Sequence, residues 1–129
     1  MSVAFLALAL AAAPPLADTP VAPELAARMI AAGRAEQAIA SLEKASAADP
    51  QDAAVLINLG IAYAQTGDEV RARDAFRQAL ACNEVIELET ADGTATDSRR
   101  LARKALRMLE RGEFRGAAGA AGTLSFRDQ

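Results

Sequence analysis

The sequence predicts an all-α protein: a short solenoid of helical hairpins, with a small β-hairpin inserted before a C-terminal capping helix. Three observations carry that prediction. The chain is 52% hydrophobic but only 4% aromatic, without Trp and rich in Ala, a composition suited to helices that approach closely through small side chains. Apolar residues recur at helical spacing through most of the stretch 25–80. Within 49–80, Gly60, Tyr63, Gly67, Ala72, Phe76 and Ala79 punctuate the chain, and a shift of roughly 34 residues places Ala26, Met29, Gly33, Ala38, Leu42 and Ala45 on the same slots. At 129 residues there is room for one domain.

Residues 1–17 read as a signal peptide. An uncharged apolar run occupies 3–13 and ends at Pro14-Pro15; it is too short to span a bilayer, which takes about 20 residues. Cleavage after Ala17 or after Ala11 fits the small residues there, although no Lys or Arg precedes the run. The alternative is an apolar helix covering one end of the stack in a cytoplasmic protein, an arrangement that consecutive prolines disfavour.

The domain proper is expected over 18–112, with repeats at about 19–52 and 53–86. Pro23 suits a helix first turn, and Leu25, Ala26, Met29 and Ile30 share one face of a helix that Gly33 ends. Ala35, Ala38, Ile39, Leu42 and Ala45 stripe the second helix. Asp49 and Pro50 read as the N-cap and first-turn proline of a third helix carrying Leu56, Leu59, Gly60 and Tyr63. Gly67 closes it, Asp68 caps a fourth, and Val70, Ala72, Phe76, Ala79 and Leu80 are expected to face inward. Gly60 and Ala72 let the two helices of the second hairpin approach closely. Alternation over 85–90 and the turn at Asp92-Gly93 predict a hairpin within 85–97. A capping helix follows over 98–111, with Asp97 as N-cap and Leu101, Ala102, Ala105, Met108 and Leu109 on its apolar stripe. The Gly/Ala-rich tail 113–129 is expected to be flexible.

The punctuated stretch resembles the tetratricopeptide repeat family over two consecutive copies. It departs from the family pattern where Leu56 replaces Trp, Met29 replaces Tyr, Leu42 replaces Phe and Glu84 stands in place of a closing Pro. The resemblance implies stacked helix pairs whose first helices line a concave, partner-binding face. The matching positions are Ala54, Ile57, Asn58, Ile61 and Gln65 in the second copy, and Ala27 and Ile30, with Ala31, in the first. One subfamily clamps a peptide carboxylate. Asn58 matches one of its residues, and Arg99 with Arg103 would imitate its last pair if the capping helix stood in for a third repeat. Pro23 and Ala27 occupy the first-repeat slots and offer no side chain for a carboxylate, which leaves a small apolar groove for an extended segment or a helix.

Composition narrows the functions further. A formal net charge of −3 disfavours general nucleic-acid binding. No His and a single Cys, Cys82, exclude a Ser/His triad, a Cys/His pair, a Cys/His zinc site and an internal disulfide within one chain. No cofactor and no metal are expected, since the acids around Asp92-Gly93 fall short of a calcium loop. Glu84, Glu87 and Glu89, the only candidates for carboxylate-based hydrolysis, sit in an expected surface hairpin with no pocket to raise a pKa. The basic residues between 99 and 115 read either as the solvated face of the capping helix or as a contact surface for a partner or for acidic lipid headgroups. The expectation is therefore a non-catalytic, exported, periplasmic scaffold that binds another protein or peptide, with membrane only as its export route. A homodimer through the open repeat edge is the alternative.

Overall fold

The computed structural model describes residues 23–90, 93–114 and 126–127. Five helices, α1 (Pro23–Ala31), α2 (Ala35–Ala48), α3 (Ala53–Gln65), α4 (Glu69–Ala81) and α5 (Ser98–Glu110), are accompanied by strands β1 (Glu87–Thr90), β2 (Ala95–Asp97) and β3 (Phe126–Arg127). The expected signal peptide lies outside the described residues.

Glycine sets the turn within each of the two helical hairpins. Gly33 and Gly67 adopt φ of +77° and +87°, a left-handed conformation that costs an L side chain about 1–2 kcal/mol. Behind Gly33, the Arg34 amide donates to the Met29 carbonyl at 2.8 Å; behind Gly67, the Asp68 amide donates to Tyr63 at 2.9 Å. These six-to-one bonds satisfy carbonyls that the helix ends leave unpaired. The turns are short, so α1 folds back on α2 and α3 on α4.

The turn between the hairpins differs from the sequence expectation. Asp52, not Asp49, caps α3: its carboxylate accepts from the Ala54 and Val55 amides at 3.1 and 3.2 Å. Asp49 is already committed to the end of α2, where its amide donates to Ala45, and its side chain holds the Gln51 amide. Pro50 therefore sits in the turn. Asp68 and Asp97 cap α4 and α5 as expected, accepting from the Arg71 and Arg100 amides at 3.1 and 2.7 Å.

Packing centres on α3, where every residue from 53 to 64 is buried. It lies between α1 and α5 and against α2 and α4. Its closest approach is at Gly60, where a Cβ would fall 2.5 Å from the Phe76 ring. Phe76 and Leu42 are fully enclosed. Val70 turns outward instead, 66% exposed, because at 100° per residue it projects well away from Ala72 and Phe76. Leu25 is likewise exposed, and Ala75 takes up an inward position.

The sheet is larger than the expected hairpin, with order β2-β1-β3. β1 pairs antiparallel with β2, Leu88 opposite Thr96, and with β3, Thr90 opposite Phe126. Ser98, fully buried, locks the sheet to α5: its amide donates to the Ile86 carbonyl at 2.8 Å and its Oγ accepts from the Ile86 amide at 3.2 Å. At the start of the tail, Phe114 is buried and stacks with Phe76 at a centroid distance of 6.3 Å. Strand β3 also falls in this segment; the residues between lie outside those described.

Candidate interaction surface

Helices α1, α3 and α5 form one layer of the stack, and α2 and α4 form the other. The concave side of such a stack is the outer side of the first layer. Here β2 sits beside α5 and β3 against α1, so the sheet bridges the two neighbours of α3. Leu88 of β1 is buried and belongs to the same core as Ile57 and Ile61.

The positions expected to meet a partner are mostly enclosed. Ala27, Ile30, Ala54, Ile57 and Ile61 are buried, and Asn58 is only 1% exposed. Gln65 and Arg99, both half-buried, keep solvent access, as do exposed Arg103 and Ala31, the latter at the end of α1. The structure does not assemble the carboxylate clamp. Asn58 lies within the packed layer, and the Arg99 guanidinium donates to the Cys82 carbonyl at 3.2 Å.

The opposite layer carries a polar cluster that sequence reasoning did not single out. A cleft of about 370 Å³ is lined by Glu43, Leu56, Leu59, Tyr63, Arg71 and Asp74, among others. Tyr63 donates its hydroxyl proton to Glu43 Oε1 at 2.5 Å, and the Arg71 guanidinium lies 5.8 Å from the ring centroid. Burial, and then the bond and charge of Glu43, push the Tyr63 phenol up to about 12, with Arg71 opposing. This links α2, α3 and α4 through one side chain. Its sequence signal was Tyr63 itself, which reads equally well as a simple core aromatic.

Cys82 is 1% exposed, and its thiol donates to the Gln78 carbonyl at 3.3 Å. Burial raises its pKa, with Asp52 and Asp49 adding to the effect and Arg99 opposing it. A thiol held neutral and enclosed is a poor nucleophile. Among the described residues, no group of three or more His, Cys, Asp or Glu is placed to hold a metal ion. Glu84 and Glu87 are exposed and Glu89 half-buried, spread along the strand and the link before it.

The fold is thus that of a helical repeat protein, two hairpins closed by a further helix. Residues 29–85 match the family model of the tetratricopeptide repeat. Over that stretch, under half of the chain, the sequence carries tetratricopeptide repeats, which support a protein-interaction scaffold in general terms. The match begins inside α1 and ends in the link before β1, so the sheet and α5 fall outside it. No curated protein and no solved structure matches the chain.

Proposed function

We propose that the protein is an exported, non-catalytic scaffold that holds a protein partner on the exposed rim of its helical stack. Burial of Ile57, Asn58 and Ile61 on α3 carries this reading. In an open stack those side chains form the floor of a groove; here they are enclosed in a core that Leu88 of β1 shares. A partner that docks without disrupting the fold then meets the side chains left outside that layer, with Gln65 and Arg103 at the margins. Export rests on the apolar run at 3–13 followed by Pro14-Pro15.

Photo-crosslinkers introduced at positions 65 and 103 in living cells test the interface, with position 77 on the exposed face of α4 as comparison. Adducts from 65 and 103 but not from 77 are expected; no adduct from any position would refute the scaffold reading. An export-dependent reporter fused to the full chain tests the other half. A reporter that stays inactive in the cytoplasmic fraction removes the export proposal and leaves the scaffold untouched.

A further inference from the structure

The outer face of α5 carries a concentration of charge that its role in closing the stack does not require. Arg100, Arg103, Lys104, Arg107 and Arg111 are all exposed. At 100° per residue they fall within an arc of roughly 100°, and from Arg100 to Arg111 they extend over about 16 Å. The apolar side of the same helix, with Leu101, Ala102, Ala105 and Leu109, is buried against the core.

The arrangement works against the helix that carries it. Arg100–Lys104, Arg103–Arg107 and Arg107–Arg111 are like-charge pairs four residues apart, each destabilising by about 0.2–0.5 kcal/mol. Arg100 also stands in the first turn, where the helix dipole disfavours a cation. None of the five side chains forms a hydrogen bond or ion pair with another described residue. The polar face of α4, by contrast, mixes Glu69 and Asp74 with Arg71, Arg73 and Arg77.

A cleft of about 460 Å³ opens along this stripe, lined by Lys104, Arg107, Met108, Arg111 and Glu113. Half-buried Met108 gives it an apolar, adaptable patch between three cations; Glu113 stands at its margin.

We infer that this face of α5 is a docking stripe for an acidic segment of a protein partner, with carboxylates along the cations and an apolar side chain on Met108. The inference rests on the scaffold reading and deepens it by naming the partner's chemistry. An anionic membrane fits less well. The apolar face of α5 is spent on the core, so no hydrophobic insertion would support binding. Moreover, residues 98–111 contribute +5 to a net charge of −3, which leaves −8 on the rest of the chain. A broad anionic surface would meet that repulsion, whereas a narrow segment meets the stripe alone.

The test uses the full chain and a fluorescent helical peptide with Glu at every third or fourth position and one central Leu. A peptide with Gln for each Glu, and vesicles of phosphatidylglycerol, serve as the other arms. Binding of the acidic peptide is expected to weaken with added salt and to fall about tenfold in Lys104→Gln/Arg107→Gln. Arg73→Gln/Arg77→Gln on α4 is expected to leave it unchanged. The α5 variant should melt no lower than the parent, since it relieves repulsion. Equal binding of the Gln peptide, equal loss in the α4 variant, or binding to vesicles but not to the acidic peptide each overturns the proposal. If cross-linked adducts from positions 65 and 103 persist in the α5 variant while peptide binding never appears, the stripe fails and the scaffold stands. Absence of adducts in the parent fails the scaffold itself.

Discussion

Replacing Gly60 with Ala sets two physical effects of opposite sign against each other. In an α-helix the change favours the folded state by about 1 kcal/mol, because Ala loses less backbone freedom on folding. Against that, the new Cβ would lie 2.5, 2.6 and 2.9 Å from three atoms of the Phe76 ring. Carbon atoms pack comfortably at about 3.5–4.0 Å, so the ring must withdraw by about 1 Å. It has little room to do so: Phe76 is fully buried and backed by Phe114. Overpacking of this kind costs about 1–3 kcal/mol, and overlap with three ring atoms points to the upper end. The net expectation is a loss of about 2 kcal/mol, or a melting temperature lower by about 8–16 °C for a domain of this size. Thermal and urea melts followed by far-ultraviolet circular dichroism measure it. The double variant Gly60→Ala/Phe76→Leu should lose less than the two single changes added together, since the smaller side chain admits the methyl. A Gly60→Ala protein as stable as its parent, or more so, would refute the close approach of α3 and α4 at this point.

Tyr63 is the only tyrosine and there is no Trp, so the phenolate absorbance band reports on it alone. Its titration midpoint is expected near 12 in the folded chain and near 10 in denaturant. Below pH 10 both states hold the proton; between the two values the unfolded chain ionises first, so stability falls as pH rises, and Tyr63→Phe should remove that part of the loss. Glu43→Gln should lower the folded midpoint without returning it to 10, because burial is the larger cause. Asp52→Ala should cost about 1 kcal/mol in urea unfolding by releasing the first amides of α3, and Asp49→Ala distinctly less. Cys82 should react with a disulfide reagent only as fast as the chain opens, so labelling and unfolding rates that differ in their denaturant dependence would contradict its burial.

Much of the helical framework was legible because its determinants are local. Gly33 and Gly67 mark their turns by a backbone conformation that glycine favours, and Asp68 and Asp97 cap the helices they precede. The α3 cap was misread since both aspartates flanking Pro50-Gln51 suit the role; the choice depends on where the preceding helix ends. Val70 was placed inward on hydrophobicity alone, against its own helical phase. Phe114 gave no periodic signal, and a two-residue strand such as β3 has none to give. The burial of Asn58, Ile57 and Ile61 was hidden for the same reason. Family pattern places them on the first-helix face of a repeat, whereas their burial is a property of the assembled core, to which residues distant in sequence such as Leu88 contribute.

That pairing bears on how the molecule comes apart. In a linear array the end repeats have one neighbour each and fray before the middle. Here β3, hydrogen-bonded to β1, also rests against α1, so α1 leans on a strand about a hundred residues further along the chain. Opening at either end deprives the other of a contact, and the array acquires the all-or-none character of a globular domain. Amide exchange in α1 should then slow or quicken together with exchange in β1, as in a ring where loosening one link slackens the next.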